Sequence, residues 1–238
     1  MSDFRGLVLT NTTLNDSDVM MNVLSDDGII SIKAKGVLKA NSKNRNVTEV
    51  GCYSLFHTID RLNQKVYLLK NAESLIRFNS IHTDLEKQSI FHCLLEGFNK
   101  SEISLEEALK FINILEKSKN PYCCYALYLC RLIHQGGISL IVDRCSCCGR
   151  QQGIYGLSLV DGGFVCKECY DGNKHLHLDV AELKNIRYCM LASIDDYDKL
   201  EQNTNITYVT IKVLYQFIYQ YGEITLKSHS FLEMLQTI

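Results

Sequence analysis

The chain has 238 residues, enough for one large domain or for two to three small ones, each with a core of its own. Its composition, with 46% hydrophobic and 22% charged residues, is that of an ordinary globular protein. The 25 Lys and Arg residues stand against 27 Asp and Glu residues, which gives a net charge of -2. Bulk charge therefore excludes a general attraction for polyanions, and any contact with nucleic acid or a membrane surface has to come from a local patch.

The N-terminal segment and the cysteine content predict a compartment. The sequence MSDFRGLVLTNTT lacks the charged, apolar and small-residue regions of a signal peptide. No window reaches the roughly 18 uninterrupted apolar residues that a membrane span requires. Eleven cysteines without an export signal indicate a reducing compartment, where thiols stay free or bind metal. We therefore expect a cytoplasmic protein without a membrane partner.

Residues from Arg5 to about Lys70 have the pattern of short strands. Five apolar or alternating runs are separated by turn residues, most clearly by the hairpin signal Ser25-Asp26-Asp27-Gly28. Five strands are too few to make two sheets, so we predict a small closed barrel, of which the OB-fold is the common five-stranded form. The predicted strands are Gly6–Thr10, Val19–Leu24, Ile29–Lys35, Gly51–Ile59 and Lys65–Lys70.

The apolar period changes to a helical one from Asn71. Residues Asn71–Asn99 carry apolar side chains at mostly helical spacings, and a second helix over Ser104–Lys117 begins with a capping box of Ser104 and Glu107. A third segment, PYCCYALYLCRLIH, starts after Asn120 and is apolar nearly all round, so we expect it to be a buried central helix. Further helices are predicted over Asp179–Ser193, Ile206–Gln220 and Ser228–Leu235.

These patterns predict an α+β fold, in which an N-terminal five-stranded OB-fold barrel is followed by an α-helical domain with a four-cysteine insert. The predicted divisions are an OB-fold domain over residues 1–70, a helical domain over residues 71–142, the insert over residues 143–175, and the rest of the helical domain over residues 176–238.

Two cysteine pairs carry the strongest chemical signal. Cys145 and Cys148 are separated by two residues, as are Cys166 and Cys169, and seventeen residues lie between the pairs. Zinc prefers a tetrahedron of thiolates, and a two-residue spacing lets one tight turn present both sulfurs to the same ion. We therefore predict one structural Zn²⁺ on these four thiolates. The cluster would carry a charge of about -2, which Arg144, Arg150, Lys167 and Lys174 can offset.

Three other interpretations of the cysteine-rich segment compete with this one. Cys147 could replace Cys148, although the C-x-x-C-G pattern favours Cys148. A catalytic zinc would need an open position and usually His or carboxylate ligands, for which His175 and His177 are near in sequence. A redox C-x-x-C motif is disfavoured because no βαβ pattern surrounds it.

A basic stretch in the barrel predicts a DNA contact. Alternation in Ile29–Lys35 sends Ile30, Ile32 and Ala34 to one face, and Ser31, Lys33 and Lys35 to the other. With Lys39, Lys43 and Arg45 there are five cations, and no acid lies between Ile29 and Asn46. OB-folds bind single strands with such a groove together with aromatic rings, here Tyr53, Phe56 and Tyr67. The alternative is a solvated strand face with each ring packed in the core.

Several segments together resemble the family of the bacterial recombination mediator RecO. The barrel resemblance is carried by GLVL from Gly6, by the hairpin Asp26-Asp27-Gly28 that leads into IKAKG, and by Ser42-Lys43. The zinc module is similar in CSCCG from Cys145 and in GGFVC ending at Cys166 with Cys169. The C-terminal resemblance rests on Tyr221-Gly222, Leu226, Ser228 and Phe231-Leu232. The resemblance covers nearly the whole chain.

The resemblance implies a function in DNA repair and recombination. It implies a protein that binds single- and double-stranded DNA, anneals complementary strands, and works with RecR and single-stranded-DNA-binding protein to load RecA, at the nucleoid. Family members are often clearly basic, which this chain is not, and they do not all depend on zinc, so the metal is interpreted as a scaffold.

Two other functions remain possible. One is a non-catalytic protein-interaction adaptor, and the other is an enzyme with a zinc-ribbon appendage. No P-loop, G-x-G-x-x-G, H-E-x-x-H or G-x-S-x-G motif supports catalysis, so the expectation is that the protein is not an enzyme. Salt-dependent DNA binding through Lys33–Arg45 would distinguish the mediator from the adaptor.

Overall fold

The structure is a computed structural model that describes residues 2–59, 66–222 and 224–236. Two compact units make up the chain. The first contains Met1–Glu116 with Leu226–His229, and the second contains Lys117–Thr225 with Ser230–Ile238. The predicted divisions at residues 70, 142 and 175 remain a prediction.

A closed barrel fills the N-terminal part of the first unit. Within the described residues its five strands run in the order β1-β2-β3-β5-β4. The pairing of β3 with β5 is parallel, whereas the other neighbours are antiparallel. This confirms the predicted five-stranded barrel of OB type. The strands are β1 Ser2–Thr13, β2 Val19–Ser25, β3 Gly28–Ala34, β4 Tyr53–Ile59 and β5 Val66–Ile76.

Alternating side chains build the barrel core. Val8 from β1, Met21 from β2, Ile32 from β3 and Phe56 from β4 are fully buried and belong to one cluster. Ala34 is buried in the same cluster and Ile30 packs against it, which confirms the predicted inward face of β3. Because successive residues of a strand point to opposite sides, Lys33 of β3 is left on the outer face.

Strand β5 is longer than the sequence predicts. The helical assignment of residues 71–76 is wrong, because β5 continues through Ile76 and pairs with β4 from Ile59 to Tyr53. Residues 73–76 are exposed, so their apolar spacing has little influence, and the backbone hydrogen bonds to β4 decide the conformation. Lys65, the first residue of the predicted fifth strand, lies outside the described residues.

Three helices follow the barrel, namely α1 Asn79–Thr83, α2 Leu85–Phe98 and α3 Leu105–Lys117. Ser104 accepts a hydrogen bond from the Glu107 amide at 3.1 Å, which confirms the predicted N-cap of α3. The Glu116 carboxylate accepts the Ser80 and Ile81 amides at 2.9 and 3.0 Å, and thereby ties α3 to α1.

The second unit is built around the predicted central helix. Helix α4, Pro121–Gln135, begins with Asn120 accepting the Tyr122 amide at 3.1 Å, and it buries Tyr125 and Tyr128 completely. This confirms the predicted buried helix. The later helices are α5 Val180–Leu191, α6 Tyr197–Asn203, α7 Tyr208–Tyr221 and α8 His229–Leu235.

Helix α6 was not predicted because its sequence, YDKLEQN, is short and mostly polar. It is held by tertiary contacts, since the Glu201 carboxylate accepts the Lys119 and Asn120 amides at 2.9 and 3.0 Å. No helix within the described residues is both long and apolar enough to span a membrane.

A small sheet in the second unit carries the cysteine pairs. Its strands are β6 Ile154–Ser158, β7 Gly163–Cys166 and β8 Leu176–His177, in the order β7-β6-β8. The tip of the β6–β7 hairpin is attached to α7, because the Tyr221 hydroxyl lies 2.7 and 2.8 Å from the carbonyls of Leu159 and Val160.

The contact between the barrel and α2 gives a stability prediction. Gly51 has φ of +84°, and a Cβ added there would lie 2.4 Å from the Phe91 ring. Gly51→Ala therefore combines a left-handed backbone penalty of about 1–2 kcal/mol with an overpacking cost of about 1–3 kcal/mol. We expect a loss of about 2–5 kcal/mol in the free energy of unfolding, measured by urea denaturation followed by circular dichroism.

Gly28→Ala is the matched control. Gly28 also has a positive φ, +98°, but an added Cβ meets nothing within 4 Å. Its cost should be limited to the backbone penalty of about 1–2 kcal/mol. Equal losses for the two variants would contradict the close packing of Gly51 on Phe91.

Candidate metal centre and candidate nucleic-acid interface

The four predicted cysteine ligands lie together in the second unit. All four Sγ atoms of Cys145, Cys148, Cys166 and Cys169 are within 4.8 Å of one another, and the sulfurs of Cys148 and Cys166 are 3.7 Å apart. A tetrahedral zinc ion with Zn–S bonds of about 2.3 Å requires sulfurs about 3.8 Å apart. The cluster therefore has the dimensions of a four-thiolate zinc site.

Two tight turns present these sulfurs. The Gly149 amide donates to the Cys145 carbonyl at 2.9 Å, and the Cys169 amide donates to the Cys166 carbonyl at 3.1 Å. The Cys145 amide donates to the Arg150 carbonyl at 2.7 Å and closes the first turn. Each pair is thus shaped by backbone hydrogen bonds within its own turn.

The environment of the sulfurs differs from one to the next. Cys145 and Cys166 are buried against Val165, whereas Cys148 is exposed. Burial raises the pKa of the Cys145 thiol, but the backbone amides of Cys166, Cys148 and Cys147 outweigh it and lower that pKa to about 6. Burial raises the pKa of Cys166, and the pKa of Cys169 is raised because its thiol donates hydrogen bonds to the Cys148 and Cys166 sulfurs. Four thiolates within 4.8 Å of one another repel each other, so ionising all four together requires a cation among them.

The competing ligands are held elsewhere. The Cys147 thiol is exposed and its Sγ lies 3.8 Å from Asp161 Oδ2, outside the cluster. The His175 Nδ1 accepts the Asp171 amide at 3.0 Å, and its Nε2 lies 3.6 Å from Asp161 Oδ2. The His177 ring packs on Tyr155 with centroids 4.5 Å apart. The cluster within the described residues consists of cysteines alone.

The cysteine-rich segment carries no excess of positive charge. Residues 143–175 hold four cations and four carboxylates, before the thiolates are counted. Arg150 forms an ion pair with Glu168, and the Lys174 ammonium lies 3.6 Å from Asp171. The cations near the cluster are therefore already partly neutralised, and this segment is a poor match for a phosphate backbone.

A basic surface lies on the barrel, and we define it as Lys33, Lys35, Lys39, Lys43 and Arg45. Lys33 is half-buried on β3, while the other four side chains are exposed. The Lys33 ammonium lies 3.7 Å from Asp18, a residue of the β1–β2 connection. A hydrogen bond from the Gly36 amide is the main reason why the pKa of Asp18 is lowered. The other four cations form no ion pair with any residue that the structure describes.

Folding adds a lysine that the sequence analysis missed. The parallel pairing sets Leu68 of β5 opposite Lys33, and Lys70 follows two residues later with an exposed side chain. The side chain of Asn44 makes two hydrogen bonds to β5. Its Nδ2 donates to the Lys70 carbonyl at 3.3 Å, and its Oδ1 accepts the backbone amide of Ala72 at 3.4 Å. The loop after β3 that carries Lys39, Lys43 and Arg45, which we call the basic loop, is therefore bound to β5. The only sign of this lysine in the sequence was its position at the end of the predicted fifth strand, two residues after Leu68.

The three predicted aromatic side chains are buried or half-buried, and Phe56 and Tyr67 belong to the barrel core or pack against it. Phe56 is fully buried and Tyr53 is 9% exposed, so neither can stack on a base without rearrangement. Tyr67 is half-buried and forms an edge contact with Phe4, with centroids 6.1 Å apart. For Tyr53 and Phe56 the core interpretation is confirmed.

Comparisons with known proteins agree with the architecture. The family model described as Recombination protein O N terminal matches residues 1–78, and the model described as Recombination protein O C terminal matches residues 104–230. The DNA repair protein RecO of a Thermoanaerobacter species is 27% identical over 98% of this chain and 97% of its own length. The DNA repair protein RecO of Halalkalibacterium halodurans is 22% identical over 98% of this chain and 94% of its own length. Since the C-terminal model alone spans more than half of the sequence, the chain belongs to the RecO family of DNA repair proteins.

Proposed function

We propose that this protein is a DNA-binding recombination mediator. It anneals complementary single strands and, with RecR and single-stranded-DNA-binding protein, helps to load RecA during repair in the bacterial cytoplasm at the nucleoid. The observation that carries the proposal is the basic surface, where four exposed cations on an OB-type barrel form no ion pair within the described residues. The related bacterial DNA repair proteins support the same function.

The basic surface contacts DNA through phosphates. Each lysine or arginine that neutralises a phosphate releases a counterion, so affinity falls as salt rises. Phosphate contacts carry no base information, and binding through them is therefore independent of sequence. Lys33 contributes least, because Asp18 already neutralises part of its charge. The proposal assigns both single- and double-stranded DNA to this surface.

Replacing Lys33, Lys35 and Lys39 together by Ala should weaken DNA binding about equally for unrelated sequences. The slope of log affinity against log salt for single strands should become shallower by up to about 2, given a slope of about 0.7 for each lost contact. Titrations at two or more salt concentrations measure both quantities.

A triple variant of Lys184, Lys199 and Lys212 to Ala is the control for this experiment. It removes the same charge from exposed positions on α5, α6 and α7. If both triple variants lower the affinity and the salt slope equally, the contact is not specific to the basic surface. Unchanged affinity and an unchanged salt slope in the Lys33, Lys35 and Lys39 variant would favour the adaptor function.

We infer that Cys145, Cys148, Cys166 and Cys169 hold one structural Zn²⁺. The close approach of the four sulfurs supports this assignment. Four protein thiolates complete a tetrahedron and leave no open position for a substrate or water, so the metal when bound supplies folding energy to the hairpin and no catalytic chemistry. The proposal accordingly assigns no enzymatic step to the chain.

Metal analysis of the purified protein should give one equivalent of zinc per chain. Cys166→Ser should lose the metal and unfold the segment around residues 143–175, because a structural site couples binding to folding. The barrel should stay folded, as measured by hydrogen exchange of its amides.

Cys147→Ser is the matched control, because the Cys147 sulfur lies outside the cluster. It should retain a full equivalent of zinc. Loss of zinc from Cys147→Ser but not from a Cys148→Ser variant would show that the ligand set is wrongly assigned.

The protein should accelerate annealing of complementary strands without ATP. The sequence has no phosphate-cradling loop, so the work left to the chain is electrostatic. A basic surface that screens two strands from each other lowers the repulsion that opposes their encounter, and added salt should suppress the acceleration. A fluorescence assay with bare strands and with strands coated by single-stranded-DNA-binding protein measures the rate. A rate equal to the protein-free control, or one that rises only with ATP, would contradict the mediator mechanism.

A further inference from the structure

A cleft of about 450 Å³ opens at the end of the barrel, within the first unit. We name it the barrel cleft, and it is formed by residues 46–52, the end of β5 and residues 77–82. Its volume falls within the range of about 300–1,000 Å³ that small-molecule sites occupy. The barrel cleft is therefore large enough to enclose a planar group such as a nucleobase.

The side chains of the barrel cleft offer mixed chemistry. Asn46 and Asn79 supply amide donors and acceptors, Arg77 supplies donors, and Glu49 supplies acceptors. Arg77 is exposed and forms no ion pair or hydrogen bond with another residue in the described ranges. Ile76 adds an apolar part to the lining. A site with one carboxylate beside one arginine suits a neutral polar heterocycle better than a phosphate, since Glu49 would repel an anion.

The barrel cleft continues the basic surface. Asn46, which lines the barrel cleft, directly follows Arg45, the last cation of the basic surface. The basic loop is bound to β5 at Lys70 through Asn44, and Ser74 of the same strand lines the barrel cleft. Ser74 lies four positions after Lys70 along β5, a distance of about 13 Å at about 3.3 Å per residue. A DNA strand whose phosphates lie on the basic surface can therefore reach the barrel cleft.

We propose that the barrel cleft binds one unpaired nucleobase of a single strand whose phosphates lie on the basic surface. This inference rests on the proposed function and specifies how the barrel distinguishes single strands from duplexes. A paired base is stacked between its neighbours and has its hydrogen-bonding edge occupied, so it cannot enter. An unpaired base presents both donors and acceptors to Asn46, Glu49, Arg77 and Asn79.

The test compares two oligonucleotides of equal length and equal phosphate number. One is a thymidine homopolymer, and the other carries abasic tetrahydrofuran units in place of every nucleoside. The protein should bind the abasic strand about tenfold more weakly, the scale of one or two hydrogen bonds made by the enclosed base. Phosphate contacts alone would give equal affinities. The affinity ratio, which is the affinity for the thymidine strand divided by that for the abasic strand, therefore measures the contribution of the base.

Two variants locate the effect. Ser74→Leu fills part of the barrel cleft without adding an aromatic face on which a base can stack, and Arg77→Ala removes its arginine; both should move the affinity ratio towards one by weakening binding of the thymidine strand. Arg5→Ala is the matched control, because Arg5 is an exposed arginine of β1 that does not line the barrel cleft. It should keep the ratio of the unchanged protein. Thermal unfolding by circular dichroism checks that each variant is folded.

The outcomes separate this inference from the proposed function. Salt-dependent binding of both strands with a ratio near one, or a tenfold ratio that survives in both cleft variants, overturns the nucleobase site and leaves the basic surface intact. Absence of salt-dependent binding to either strand overturns the proposed function itself, and the nucleobase site with it.

Discussion

The parallel pairing of β3 with β5 is the interaction on which the first unit depends. It joins Ser31 to Val66, Ile32 to Tyr67 and Lys33 to Leu68, and so closes the barrel. Without this pairing both strands would expose an unpaired edge, at a cost in backbone hydrogen bonds and in burial of Ile32. Closure also sets Leu68 opposite Lys33 and lets Asn44 bind β5, so the loop that carries Lys39, Lys43 and Arg45 is fixed against the closed barrel.

The two candidate sites differ in charge and therefore in chemistry. The cysteine segment balances four cations against four carboxylates, and its thiolates would add negative charge around a divalent ion. The basic surface keeps four exposed cations without ion pairs among the described residues, although the whole chain has a net charge of -2. A local excess over one barrel face is sufficient for phosphate contacts, since screening limits attraction to about 10 Å at moderate salt. We therefore interpret the metal centre as a scaffold and the barrel as the DNA-binding element.

Much of the architecture could be predicted from local patterns in the sequence. The inward face of β3, with Ile32 and Ala34, follows from the period of two, and the start of α3 follows from Ser104. The grouping of the four cysteines follows from their spacing, because two-residue turns constrain both sulfurs of a pair. These features depend on contacts between residues close in sequence, or on the single requirement that apolar side chains leave water.

The remaining features were decided by tertiary structure, because they depend on which strands and loops meet. Strand β5 runs through Ile76 since β4 offers it a pairing partner, whereas the exposed side chains of residues 73–76 carry no usable period. Asp18 neutralises part of the Lys33 charge from fifteen positions away, and a parallel pairing sets Leu68, two residues before Lys70, opposite Lys33. The sequence by itself determined the inward face of β3, the N-cap of α3 and the spacing of the four cysteines. Only the closed barrel decided which cations stay unpaired and where the cleft beside them opens, because long-range backbone pairing sets both.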